Sequence, residues 1–296
     1  IRQHCILPTE LAGADVQSTR AGLVNAFGFS GTIASAILGC MPCATTTYAR
    51  GTAELRYKRC TFPWREQSHP FAQRRLPASD DARVFRSPAA GALHALVAEH
   101  VVQGRVLFPG AGYLELARAA SADGAALAGV FFLQPLAIEA VGLLVECAVG
   151  GGRFEVRSGG ALGSELEDAA VHCSGAVVAV GVWEGVDHAS VRGGSCVHGG
   201  GLKALYDGLA GAGLQYGPGY RTLLRAWGGD VGAAARLRGR STHAGTAVHP
   251  ADLDDALCIC ALASSVGGES ETRLPFAVGE ALLGRCMGEL WACGVQ

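Results

Sequence analysis

The stretch that decides the fold lies in the first half of the chain and reads His94-Ala-Leu-Val-Ala-Glu-His100-Val-Val-Gln-Gly104-Arg-Val-Leu-Phe-Pro109-Gly110-Ala-Gly-Tyr113-Leu-Glu-Leu-Ala-Arg-Ala-Ala120. Residues 101–108 are rich in β-branched and apolar side chains, which predicts a strand with Gly104 at a bulge. Pro109-Gly110 breaks this strand and opens a helix, since proline is tolerated in the first turn. Residues 111–120 are small and apolar, so we expect this helix to be buried against a sheet.

Two positions in this stretch have the chemistry of a catalytic site. His100 lies just before the predicted strand, and a neutral histidine at physiological pH suits a general base. Gly110 presents a backbone N–H at the helix N-terminus, where the helix dipole favours a carbonyl oxygen that gains negative charge. Taken alone, a histidine beside a strand is more often structural than catalytic, so further motifs are needed.

Three such motifs follow along the chain. The first motif is Tyr216-Gly217-Pro218-Gly219-Tyr220. It follows a segment with a helical pattern, and its glycines and proline predict the end of that helix and a turn. The second opens a helix predicted over residues 252–265 and reads His249-Pro250-Ala-Asp252-Leu-Asp254-Asp255-Ala-Leu-Cys258. The third is a short strand-like element, Leu274-Pro275-Phe276.

In this order and spacing, the four motifs resemble polyketide synthase dehydratase domains. His100-xxx-Gly104-xxxx-Pro109 is similar to the active-site motif of that family, and residues 249–258 are similar to its second catalytic motif. With His69-Pro70 at the start of the domain, the resemblance covers most of residues 69–293. It implies an enzyme whose histidine and aspartate come from different halves of the fold.

The resemblance also implies roles for individual residues. His100 would be the catalytic base, and Asp254 would be a protonated carboxylic acid with a pKa raised by desolvation. The residues that would bind the substrate or shape its tunnel are Gly110, Tyr216, Pro109 and Cys258. The last of these stands where the family usually has Gln or His, so the carboxyl group would be held less well. Asp252 and Asp255 would be charges at a helix N-terminus.

The implied fold is α+β: a double hotdog, in which each half wraps an antiparallel sheet around one helix. We expect the N-terminal hotdog over residues 69–200 and the C-terminal hotdog over residues 201–296. Strand-like segments at residues 153–157, 171–182 and 233–238 are compatible with this arrangement. Family members usually continue through further strands, so we expect the second hotdog to be incomplete.

Residues 1–68 form a separate region. The glycine-punctuated aromatic run over 21–35 predicts a strand, a tight turn and a second strand, and it resembles the C-terminal glycine-rich motif of ketosynthases. We therefore expect residues 1–40 to be a ketosynthase-like remnant without condensing activity. Residues 41–68 are basic and aromatic and resemble the linker that precedes dehydratase domains.

Composition excludes several other classes of protein. The net charge of −2 argues against a nucleic-acid binder, and no apolar run approaches the roughly 20 residues that span a membrane. The 11 cysteines are odd in number and scattered, which predicts reduced thiols in a cytoplasmic protein. Cys40-Met-Pro-Cys43 is a lone CxxC pair, so we expect no metal site.

The resemblance implies removal of water from a β-hydroxyacyl thioester to give an α,β-enoyl thioester. The protein would need no cofactor of its own, since the substrate is carried on the phosphopantetheine of an acyl carrier protein. Other partners would be ketosynthase and ketoreductase domains, and a homodimer stays open. Two alternatives also remain: a dehydratase-like isomerase or cyclase, and a non-catalytic structural remnant of a megasynthase.

Overall fold

The chain divides into two compact units, residues 1–62 and 63–296. In the first unit, β1 (Arg20–Phe27) and β2 (Ile33–Cys40) form an antiparallel hairpin. The computed structural model describes residues 20–27, 33–40, 69–78, 81–122, 125–162, 165–179, 189, 193, 198–229, 232–259, 274–284 and 289–295. The two strands predicted here are therefore confirmed, while the turn between them and the linker lie outside the described residues. The ketosynthase resemblance stays a prediction.

A seven-stranded antiparallel sheet forms most of the second unit. Its strands are β3 (Arg74–Leu76), β4 (Ala82–Pro88), β7 (Ala125–Phe132), β8 (Leu144–Gly150), β9 (Arg153–Leu162), β10 (Glu165–Ala179) and β14 (Ala277–Ala281). The order across the sheet is β14-β7-β10-β9-β8-β4-β3. Helix α2 (Gly110–Ala120) packs on β4, β7, β8 and β9. Its apolar residues, such as Leu116, are buried against Leu127, Val145 and Val156, as the sequence pattern predicts.

A four-stranded antiparallel sheet forms the core of the second half. It consists of β11 (His198–Gly200), β12 (Leu223–Gly228), β13 (Gly232–Leu237) and β15 (Leu290–Val295), in the order β11-β12-β13-β15. Helix α3 (Leu202–Gly211) packs on β12, and helix α4 (Pro250–Cys258) contacts both β15 and α2. Helix α4 therefore lies between the two halves.

The segment before α2 differs from the prediction. Helix α1 (Ala92–Val97) leads into two short strands, β5 (Val101–Val102) and β6 (Arg105–Val106), which pair with each other. The two residues between them, Gln103 and Gly104, have φ angles of 50° and 75°. Two positive φ angles are characteristic of a type I′ hairpin turn, whose twist matches that of the paired strands. The prediction of one strand with a bulge at Gly104 is therefore wrong.

The strand β14, which follows the first strands of the four-stranded sheet along the chain, forms one edge of the seven-stranded sheet. β14 pairs with β7, and the N–H of Phe132 donates to the carbonyl of Phe276 at 2.9 Å. Residues 274–276, which the sequence predicts as a strand, have no regular secondary structure and lead into β14. The division into hotdogs at residue 200 thus stays a prediction, because the two halves share main-chain hydrogen bonds. Within the described part of the chain, none of the helices combines the length and hydropathy needed to cross a bilayer.

Candidate active site

His100 immediately precedes the short hairpin of β5 and β6, and hydrogen bonds to Leu107, which follows the hairpin, hold it in place. Its Nδ1 lies 2.7 Å from the carbonyl oxygen of Leu107, and the N–H of Leu107 donates back to the carbonyl of His100 at 3.1 Å. A carbonyl can only accept, so Nδ1 carries the proton and Nε2 has a free lone pair. The rings of Tyr216 and Tyr220 pack on the imidazole, with centroids 5.2 and 5.3 Å away. The side chain is thus held in the tautomer that a base requires.

Asp254 reaches the site from helix α4. The helix begins at Pro250, and the Nδ1 of His249 caps it by accepting the N–H of Ala251 at 3.2 Å. This start places Asp254 in the second turn, with its Oδ2 3.7 Å from His100 Nε2. The structure therefore brings together the two residues that the sequence predicts as base and acid, although they lie on different elements.

The surroundings of Asp254 favour a protonated carboxyl group. Burial raises the pKa of Asp254, while the proximity of His100 and a hydrogen bond from Tyr216 lower it by less, so the net shift is upward. Oδ2 is buried, and among the described residues it has no hydrogen-bond partner. An unpartnered buried oxygen is costly as a carboxylate but can serve as a proton donor to a ligand.

The two neighbouring carboxylates hold the helix in place. Asp252 forms an ion pair of 2.7 Å with Arg240. Asp255 is fully buried and accepts hydrogen bonds from the N–H and hydroxyl of Thr222 and from the hydroxyl of Tyr206. Burial raises the pKa of Asp255 to about 6, against the opposing effect of these hydrogen bonds. The prediction of simple helix-dipole charges is therefore wrong for Asp255, which anchors α4 to helix α3 and to the residue before β12.

Tyr216 and Cys258 stand side by side next to the pair. The Tyr216 hydroxyl lies 3.6 Å from the sulfur of Cys258, at the distance of a weak hydrogen bond to sulfur. Cys258 is one helical turn after Asp254, and its effect on the carboxyl group stays a prediction. Both side chains line the same cavity as His100 and Asp254.

Gly110 lines the same cavity as His100 and Asp254. Pro109 is the N-cap of α2, and Gly110 is its first residue, so the amide of Gly110 is among the four that have no acceptor within the helix. A Cβ at this position would lie 2.9 Å from Pro275 Cγ and 3.5 Å from Phe132 Cζ. Only glycine allows these neighbours to approach so closely. The structure thus places Gly110 in the cavity wall, and its role in substrate binding stays a prediction.

The cavity itself has a volume of about 1080 Å³. Its polar end is formed by the four residues His100, Tyr216, Asp254 and Cys258. Elsewhere its walls are mostly apolar and include Phe132, Leu133, Leu205, Leu209, Leu274 and Phe276. An apolar cavity with a few convergent polar groups at one end is the usual form of a small-molecule site.

Sequence reasoning missed two acidic groups near the site, the exposed Glu99 and the buried Glu115. The main-chain carbonyl of Glu99 accepts the N–H of Gly217, and its carboxylate accepts the N–H of Gly219. A Cβ on Gly217 would lie 2.8 Å from the Cβ of Glu99, which explains the glycine of this motif. Glu115 is fully buried in α2; the available signal was an acidic residue three positions before Arg118, in a helix whose other side chains are uncharged.

Comparison with known families agrees with this geometry. The family model described as polyketide synthase dehydratase domain matches residues 69–158, and the model described as polyketide synthase dehydratase N-terminal domain matches residues 186–295. The chain belongs to the polyketide synthase dehydratase family. The match spans only a small part of much longer relatives. It covers 4% of polyketide synthase ThaG from Burkholderia thailandensis and 5% of erythronolide synthase EryA2 from Saccharopolyspora erythraea.

These relatives are moderately similar in sequence. ThaG is 29% identical over 236 residues, which include 64% of this chain, and EryA2 is 34% identical over 201 residues, which include 61%. The dehydratase domain from the CurF module of curacin polyketide synthase has a TM-score of 0.66 at 23% identity, over 77% of this chain and 88% of that one. This likeness confirms the α+β double-hotdog fold.

Two further structural neighbours are inactive mutants of the CurK dehydratase. One has an aspartate replaced by asparagine and matches with a TM-score of 0.66 at 21% identity, over 76% of this chain and 87% of that one. The other has a histidine replaced by phenylalanine and matches with a TM-score of 0.63 at 22% identity, over 76% and 85%.

Proposed function

We propose that this dehydratase removes water from a β-hydroxyacyl thioester, carried on the phosphopantetheine of an acyl carrier protein, to give an α,β-enoyl thioester. The observation that carries the proposal is the pair of His100 and Asp254, 3.7 Å apart at the polar end of an apolar cavity. One group has a free nitrogen lone pair, and burial favours the protonated form of the other. A base and an acid held together are what a β-elimination requires.

The reaction follows from the positions of three groups. His100 Nε2 takes the α-proton, while the N–H of Gly110 donates to the thioester oxygen as enolate character develops. The electron pair of the broken C–H bond then forms the double bond. Asp254 gives its proton to the β-hydroxyl group, which leaves as water with the electrons of the C–O bond.

Both catalytic groups must then return to their starting protonation states. After the elimination His100 holds the proton from the substrate, and Asp254 is ionised. A proton transfer between Nε2 and Oδ2, which are 3.7 Å apart, restores the starting state once the product has left. No group outside the pair has to supply or remove a proton.

Support for these roles comes from the CurK neighbours. The replacement of one aspartate or one histidine is associated with inactivity in that dehydratase. An aspartate and a histidine are the residue types at the centre of the present site, each within a motif that resembles the family's catalytic ones. We therefore assign the acid to Asp254 and the base to His100.

The proposed partners follow from the substrate. An acyl carrier protein would present the thioester, a ketoreductase would supply the β-hydroxyl group, and a ketosynthase would act elsewhere in the same synthase. Whole relatives such as ThaG are polyketide synthases, which supports placement of this domain in such an assembly. A cytoplasmic location and a homodimer stay predictions.

The test is a direct assay of the product. The protein is incubated with each epimer of a β-hydroxyacyl carrier protein, and mass spectrometry follows the loss of one water molecule. A new product of unchanged mass would support an isomerase or cyclase instead. Absence of any product from either epimer would support a non-catalytic remnant and contradict the proposal.

A further inference from the structure

Glu115 is a fully buried carboxylate that lies in the middle of α2, outside the cavity wall. Its Oε1 accepts the N–H of Ala247 at 2.6 Å, and its Oε2 lies 3.4 Å from the N–H of Val248. Arg118 donates to both oxygens from Nε and Nη2, at 2.9 and 3.0 Å. His69 approaches Oε1 at 3.1 Å. One side chain thus joins α2 to the loop that precedes α4.

The charge state of Glu115 suits these contacts. His69 Nδ1 accepts the N–H of Phe71 at 3.2 Å, so the proton of the imidazole is on Nε2 and points to the carboxylate. Burial alone would raise the pKa of Glu115, but the hydrogen bonds from His69 and Arg118 and the charge of Arg118 outweigh it and leave the pKa lowered. The group is therefore ionised, and each of its donors forms a charge-assisted hydrogen bond.

The loop that Glu115 holds leads directly to the proton donor. Residues 247–248 are followed by His249, which caps α4, and Asp254 lies in the second turn of that helix. Helix α2, which carries Glu115, begins at Gly110. The contact therefore ties the element that carries the Gly110 N–H to the element that carries Asp254.

The other polar contacts of α4 described above are with residues of the second half of the domain. Asp255 binds Thr222 and Tyr206, and both partners belong to the second half of the domain. Asp252 binds Arg240, which is also in the second half. Without Glu115, α4 would stay attached to the second sheet, but the polar link between its entry loop and α2 would be lost.

We propose that Glu115 is a positioning residue, which sets the place of the Asp254 acid relative to the Gly110 amide by fastening the entry loop of α4 to α2. The inference rests on the proposed dehydratase function. Glu115 contacts neither the cavity nor the reacting atoms, so its effect is on the geometry of the other two groups.

The test compares Glu115→Gln with a matched control, Glu146→Gln. Glu146 is also a buried carboxylate, and it accepts hydrogen bonds at 2.6 Å from Arg86 and Arg157 within the first sheet. Both variants keep the side-chain size, lose one buried charge, and are expected to lower the melting temperature. Only Glu115→Gln is expected to lower kcat, by about 100-fold, because displacement of a catalytic group by ~1 Å has an effect of that order.

A second readout separates positioning from general destabilisation. If α4 shifts in Glu115→Gln, Asp254 becomes better hydrated and loses part of the desolvation that raises its pKa. Asp254 must be protonated to act, so the alkaline limb of the pH–rate profile moves to lower pH. The profile of Glu146→Gln is expected to stay where it is in the unchanged protein.

Ala247→Pro tests the same contact from the other side. It deletes the N–H that donates to Glu115 and leaves His69 and Arg118 in place, so it should also lower kcat and shift the profile. Equal kcat values in the Glu115 and Glu146 variants would overturn the proposal. Failure of both Glu115→Gln and Ala247→Pro to fold would also overturn it, because the contact would then be needed for the fold of the whole domain. An inactive unchanged protein would instead contradict the proposed function itself.

Discussion

Replacement of Gly110 by alanine tests the oxyanion role of its amide through a measurable clash. The added Cβ would lie 2.9 Å from Pro275 Cγ, whereas ordinary van der Waals contacts begin at 3.4 Å, so the gap is about 0.5 Å too small. Either Pro275 or the start of α2 must move by that amount. A catalytic group displaced by ~1 Å loses about 100-fold in rate, so half that displacement predicts a loss of about tenfold in kcat.

The same change has a modest expected effect on stability. Overpacking of a buried position costs roughly 1–3 kcal/mol, and about 0.5–1 kcal/mol of this is recovered because alanine is preferred over glycine in a helix. The control is Gly175→Ala in β10, where an added Cβ would lie 2.7 Å from Phe154 Cε1 and 3.2 Å from the carbonyl oxygen of Ala128, neither of which lines the cavity. It should lower the melting temperature without changing kcat.

The assay for both variants is single-turnover loss of water, followed by mass spectrometry, beside a thermal melt. A rate for Gly110→Ala equal to that of the unchanged protein would refute the oxyanion assignment. An equal loss of rate in Gly175→Ala would show that overpacking anywhere in the first sheet slows the reaction, and the reasoning from the position of the amide would fail.

Two other substitutions test the helix that carries the acid. Cys258→Gln should raise kcat about fivefold, because an amide offers Asp254 a hydrogen bond of about 1 kcal/mol that a thiol gives poorly; a fall in single-turnover rate would contradict this. Burial, and then the charges of Arg240 and His243, lower the pKa of His249 to about 3. The ordinary pKa of a histidine is near 6.5. When the pH is below that value, His249 therefore binds a proton in the unfolded chain but not in the native state, and the free energy of unfolding falls as the pH drops toward 3. His249→Asn, which keeps the cap, should lose less unfolding free energy between pH 7 and pH 4 in urea titrations; equal losses would count against the assignment.

The site could be predicted because its two central residues lie within local motifs. His100 is at a fixed spacing from Pro109, and Asp254 is at a fixed spacing from His249, so each motif sets the position of its residue on one element. The meeting of the two elements, by contrast, was only implied by family resemblance. The structure supplies the distance between them, which no spacing in the sequence contains.

What the sequence could not show depends on contacts between distant segments. The burial of Asp255 depends on Tyr206 and Thr222, which lie 49 and 33 residues away along the chain. The pairing of β14 with β7 is a long-range contact of the same kind. The incorrect prediction of a bulge at Gly104 has a different cause. A positive φ at glycine fits both a bulge and a hairpin turn, so the residue type alone does not distinguish them.

The central claim is that His100 and Asp254 act together as base and acid in a dehydration. The most direct test measures water loss from a β-hydroxyacyl carrier protein by the unchanged chain, by His100→Phe and by Asp254→Asn. Controls are His94→Phe and Asp207→Asn, which change the same residue types away from the cavity. We predict water loss by the unchanged protein and both controls, and none by the two site variants above background. Water loss at an unchanged rate in either site variant would contradict the account.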